Sequence, residues 1–170
     1  MEAEIKAIAS DNKIKLEENR DVERFYIYDE NDKATGEYIE FDLENIELLT
    51  KYQQIIEDDK KARTHLKFKL DEIERRADKK GKKLLSANQE ATIKAWQDFY
   101  KEEIRIYNMF LGERGVEKIL CGRTINWETL EAIAKLIENQ ILPKLQLNAN
   151  RIKEKIMKKY PNTKGVDVIE

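Results

Sequence analysis

The hydrophobic positions of this chain change period once, near residue 42. Before that point they alternate as strands do. Ile5, Ala7 and Ala9 fall on one face of an extended chain, although Ile8 breaks the alternation, and Ile14 and Leu16 alternate with lysines. Ser10-Asp-Asn-Lys13 between them offers turn chemistry. Arg24-Phe-Tyr-Ile-Tyr-Asp29 is rich in β-formers, and a polar loop, Glu30 to Gly36, separates it from Tyr38-Ile-Glu-Phe41. The pattern predicts two hairpins, or one antiparallel sheet of three to four strands. A sheet that small needs a helix over one face.

From Asp42, a plausible N-cap, the period is helical. Ile46, Leu49, Tyr52 and Ile56 share a face, and Ala62, Leu66, Leu70, Ile73 and Ala77 continue it. Phe68 lies off this stripe. The basic run Arg75 to Lys80 suits a helix C-terminus, with Gly81 as a left-handed cap. Ser86-Ala-Asn-Gln89 reads as a capping box for a second helix. Its stripe is Ile93, Trp96, Tyr100, Ile104, Tyr107 and Leu111, widened by Phe99, Ile106 and Phe110, and Gly112 ends it. A short helix fits around Val116, Ile119 and Leu120. The last helix opens near Thr124–Asn126, with Asn126 the better cap, and carries Trp127, Leu130, Ala134, Ile137, Ile141, Leu145, Ile152, Ile156 and Tyr160. Pro143 should kink it and Pro161 ends it.

The expected fold is therefore α+β, mainly α: a small N-terminal antiparallel β-hairpin sheet followed by a bundle of long helices. Residues 1–41 make the β-hairpin region. Residues 42–160 make a helical region that forms one compact domain with it, and residues 161–170 a loose tail. Composition agrees, since 170 residues with only 6 Gly and 2 Pro leave little material for turns.

Charge adds a polarity to this plan. Residues 1–50 hold 15 acids and 6 bases, a net of −9, and the remainder holds 19 acids and 26 bases, a net of +7, which together give the chain's −2. Such complementary halves suit head-to-tail association into a homo-oligomer. No apolar run approaches the ~18 residues of a membrane span. The start, Met1-Glu-Ala-Glu-Ile-Lys6, does not read as a signal peptide, and a cytoplasmic location is expected.

Candidate chemistry is sparse. One His (His65) and one Cys (Cys121) cannot build a two-His or multi-Cys metal site, so no metal or cofactor is expected, and no enzyme. Asp58/Asp59 and Glu102/Glu103 point ~100° apart on a helix and read as solvated faces rather than chelating pairs. The basic clusters at Arg75, Arg76, Lys79, Lys80, Lys82 and Lys83 and at Arg151 to Lys159 are interrupted by Asp78 and Glu154, which argues against nucleic-acid binding. What remains is a surface for protein partners. Phe25, Tyr26, Tyr28, Tyr38 and Phe41 put aromatics on both faces of one short sheet, so either both faces are covered or one is sticky. To these we add Trp96, Tyr100, Phe110, Gly112, Gly115, Gly122 and Trp127 as candidate protein-interaction residues.

The order of three stretches resembles the tail assembly chaperones of long-tailed phages and prophages of Gram-positive bacteria. They are Arg24-Phe-Tyr-Ile-Tyr-Asp29 with Tyr38-Ile-Glu-Phe-Asp42, the long charged helical middle, and Tyr107 to Gly122 leading into a terminal helix. The family segment F-G-E-G-x-x-E-K-I-F-G-G lies on Phe110, Gly112, Glu113, Glu117, Lys118, Ile119 and Gly122 when Leu111 is an insertion. Arg114 and Cys121 then stand at two of its glycine positions, and Leu120 at its second aromatic. The resemblance implies a non-enzymatic role: binding the tail tape-measure protein, keeping it soluble and recruiting the tail-tube protein in the bacterial host cytoplasm. The alternatives are a phage scaffolding or head-tail adaptor protein and a small DNA-binding regulator.

Overall fold

The structure is a computed structural model that describes residues 6–10, 13–17, 22–79, 81 and 84–159. Four strands precede the helices: β1 Lys6–Ser10, β2 Lys13–Glu17, β3 Val22–Tyr28 and β4 Ala34–Asp42. They pair as two separate antiparallel hairpins, β1–β2 and β3–β4. The helices are α1 Glu47–Glu74, α2 Ala87–Leu111, α3 Gly115–Leu120, α4 Trp127–Leu136 and α5 Leu142–Lys159, with one π-helical turn, Ile137–Ile141, between the last two. The fold is α+β and mainly α. The expected tail and the ends at Tyr160 and Pro161 lie outside the described residues, as do Ile5, the tip of the first turn, and Lys80, Lys82 and Lys83.

Alternation in β3 and β4 decides which way the second hairpin faces. Phe25 and Ile27 pair with the side of β4 that carries Ile39 and Phe41, both buried. The Phe41 ring packs at 5.9 Å from Phe25 and 5.4 Å from Phe110 of α2, so the hairpin seats on the helices through this face. Lys144 of α5 strengthens the seat, pairing with Glu23 while its ammonium lies 4.9 Å from the Phe25 ring. The buried Asn148 amide donates to the Leu43 carbonyl at 2.6 Å, tying α5 to the β4–α1 connection.

The first helix begins four residues later than an Asp42 cap would have it. Asp42 ends β4 instead of capping α1, and its carboxylate accepts the Glu44 N–H in a turn. Asn45 then accepts the Glu47 N–H at 3.0 Å. The buried face of α1 is Leu48, Ile55, Leu66 and Ile73, while Ile46 and Ile56 are exposed. Leu48, Tyr52 and Ile55 offer an equally good stripe one step round, and contact with Phe110 selects it.

Gly81 is not the cap of α1, because its φ is not positive. The helix stops at Glu74, and Asn88 of α2 reaches back to it. The Asn88 amide donates to the carbonyls of Ile73 and Arg76 at 3.1 and 3.0 Å. A polar side chain from the next helix thus bonds the Arg76 carbonyl just past the helix end and adds a second donor to the Ile73 carbonyl, which also accepts the Arg76 N–H. The expected capping box at Ser86–Gln89 is formed, and Asn126 caps α4 in a second box with Thr129.

Pro143 leaves the chain helical. The turn before it widens, and the Leu142 N–H bonds to the Ile137 carbonyl five residues back. A proline ring in a regular helix meets the carbonyl four residues earlier, here that of Asn139, and the wider turn moves it away. The wider turn also answers a phase problem. Ile133, Ile137, Ile141 and Leu145 are all buried at four-residue spacing, which walks ~40° round a uniform helix at each step. One π turn brings the face back to the core.

Candidate functional site

The twelve candidate interaction residues divide by burial. Phe41 and Phe110 are core residues, 2% and 3% exposed, and their rings are occupied by each other. They are not available to a partner, which corrects the expectation for them. Phe25 is half-buried beneath the hairpin. The opposite face is open: Tyr26, Tyr28 and Tyr38 are 62%, 54% and 41% exposed. Tyr26 and Tyr38 are cross-strand partners with ring centroids 6.1 Å apart, and the Arg24 guanidinium lies 5.3 Å from the Tyr38 ring while bonding Glu40 at 2.8 Å. Of the two readings of this sheet, one covered face and one open aromatic face is the one realised.

Trp96, Tyr100 and Trp127 gather with Phe99 where α2 meets the start of α4. Trp127 stacks on Phe99 at 6.3 Å and carries the Arg63 guanidinium 4.5 Å above its ring. Of the three glycines, two close helices and one opens one. Gly112 (φ 86°) closes α2 and Gly122 (φ 78°) follows α3. Gly115 is buried, and a Cβ there would sit 2.4 Å from the Leu111 Cβ. The segment between them is pinned by Asn108, whose amide oxygen accepts the Val116 N–H at 2.8 Å and whose amide nitrogen donates to Glu117 at 2.9 Å. Two residues in this segment hold left-handed backbone without being glycine, Arg114 at φ 55° and Cys121 at φ 49°. The half-buried Cys121 thiol points to the Lys118 carbonyl, 3.3 Å away.

A groove of about 530 Å³ opens where α1 ends and α2 begins, lined by Leu70, Ile73, Leu85, Asn88, Thr92 and Ile93. Leu84, the residue before the lining Leu85, is 93% exposed, and Ile93 is itself 45% exposed. The rest of the α2 stripe, Phe99 to Leu111, is packed into the core, so only its first turn faces outward. A second open apolar stretch is the end of α5. Leu147, Ile156 and Met157 are exposed there, amid Arg151, Lys153, Lys155 and Lys158.

One buried polar group escaped the sequence reading. Glu102 is exposed and pairs with Arg105 at 2.7 Å, as a solvated face should. Glu103 is 0% exposed, and neither of its carboxylate oxygens has a hydrogen-bond donor among the described residues. Burial pushes its carboxyl up to about 8, helped by the Asp59 carboxylate and opposed by Arg63. The adjacent Tyr107 phenol is raised too, first by burial and then by Asp59 and Glu103. The signal was available: Phe99, Glu103, Ile106 and Phe110 step by four, three and four, which puts an acid inside an apolar stripe. His65 is exposed on α1. Among the described residues, no group of three or more His, Cys, Asp or Glu side chains is arranged to hold a metal ion, and no helix is long and apolar enough to cross a membrane.

No protein family, curated protein or solved structure matches the chain.

Proposed function

We propose that this protein is a non-enzymatic tail assembly chaperone of a long-tailed phage or prophage. In this role it binds the tape-measure protein in the host cytoplasm, holds it soluble and recruits tail-tube subunits to it. The observation that carries the reading is the backbone of the Gly112–Gly122 segment. The resembling family has glycine at the positions of Arg114 and Cys121, and these are the residues that hold left-handed conformations here, which L side chains disfavour. A glycine-type backbone at both places supports a shared local structure where the side chains differ.

The surfaces are compatible with such a client. A long helical protein needs apolar grooves to lie in and a charged rim that keeps the complex dissolved. The Leu70–Ile93 groove has that form, with Glu74 at its edge and Arg75 and Arg76 beyond. The tyrosine face of β3–β4 is a separate surface, suited to the tube subunit. The test is co-expression with the tape-measure protein encoded nearby. A larger soluble fraction of that client, in a complex that co-purifies with this chain, is the expected result. A folded chain that neither solubilises nor retains the client overturns the proposal.

A further inference from the structure

Glu103 is enclosed by named groups from three helices. From α1 come Asp59 and Arg63. From α2 come Glu102, which turns outward to Arg105, and the Tyr107 ring. From α4 comes Glu131, which approaches only through Arg63. The single cation of the group is already engaged. The Arg63 Nε donates to both Asp59 oxygens at 2.9 Å, its Nη1 lies 3.5 Å from Glu131, and its plane covers Trp127. Glu103 therefore receives no donor of its own, yet it is fully removed from water. A buried ionised carboxylate without a donor is among the costlier arrangements a fold can hold. A carboxylic acid there carries its own donor, and the neighbour placed to accept it is the Asp59 carboxylate.

We propose that Glu103 and Asp59 share one proton, which makes the pair a proton-operated latch between α1 and α2. With the proton in place, Glu103 O–H donates to Asp59, and Asp59 keeps its bond to Arg63. When hydroxide removes the proton, the fully buried Glu103 carboxylate faces the part-exposed Asp59 carboxylate, with one guanidinium to serve both. Arg63 is then drawn from Glu131 and Trp127 toward Glu103, and the α4 contact loosens with the α1–α2 contact.

The sign follows from proton counting. The folded chain holds a proton that the unfolded chain gives up near pH ~4.3. Stability is thus complete below that pH and declines as pH rises through about 8. The wild-type chain tests this directly. With Glu side-chain carboxyls labelled with carbon-13, one carboxyl signal is expected to titrate far above all the others, and it should vanish in Glu103→Gln. If every Glu carboxyl titrates in the ordinary range, the latch does not exist. A second arm uses urea midpoints at about pH 5.5 and about pH 9. The wild-type midpoint should fall between them, whereas that of Glu103→Gln, which supplies a permanent neutral donor, should not. An equal fall in both chains overturns the assignment. In Asp59→Asn the Glu103 titration should move to lower pH, because the repelling charge is gone and an amide can donate. An unmoved titration rules out the shared proton. Trp127 fluorescence should change along the same titration in the wild-type chain.

Discussion

Arg114 and Cys121 show what one residue's backbone can record. A side chain in the left-handed region costs roughly 1–2 kcal/mol. Glycine removes that cost but adds unfolded-chain freedom worth about 0.5–1 kcal/mol. The difference decides the sign. Arg114 is exposed. Arg114→Gly is therefore expected to stabilise the protein by about 0.5–1 kcal/mol, read as a higher urea midpoint. Gly115→Ala is expected to go the other way by about 1–3 kcal/mol. Its new Cβ meets the Leu111 Cβ, and both atoms are fixed to helix backbone. A neutral or destabilising Arg114→Gly would contradict the strain argument for this loop.

At the scale of elements, Asn88 joins two helices through hydrogen bonds rather than burial. Asn88→Ala removes the side-chain donor to the Arg76 carbonyl and leaves the Ile73 carbonyl with its backbone donor alone. A loss of about 1–2 kcal/mol is expected, with faster amide exchange confined to the last turn of α1. The elements themselves were legible where period and cap agree. Ser86–Gln89 and the cap Asn126 marked two helix starts, and Gly112 marked one end, because each is a local device whose partners lie within four residues. The misread boundaries depended on distant partners. Asp42 failed as a cap because β4 extends to it through pairing with Val22. Gly81 failed because the α1 carbonyls are served by Asn88, a residue in another helix. Phase was harder still. The face of α1 was set by Phe110, far along the chain, and the π turn before Pro143 follows from a backbone clash that period alone does not display. Of the candidate site, the tyrosine face was readable from strand alternation. The groove was not, since it exists only where two helices meet, and Glu103 was marked only by its place in the apolar stripe of α2.

At the scale of the whole molecule, exposed apolar side chains separate a binding surface from the core. Leu84→Ser combined with Ile93→Ser should change stability by no more than about 0.5 kcal/mol per site, because both side chains already face water. The soluble fraction of the client is expected to fall toward its level without this chain. Tyr26→Ser with Tyr38→Ser should leave client solubility intact and weaken recruitment of the tube subunit, measured by pull-down. If the groove variant solubilises the client as well as the wild type does, the groove is not the client site. The Asn88 amide has a topological consequence as well. The link from Lys79 to Leu84 is not what keeps α1 and α2 together, since their packing and the Asn88 bonds to Ile73 and Arg76 lie wholly outside it. A chain cut once in that link should therefore run as two fragments on a denaturing gel and as a single particle on a sizing column.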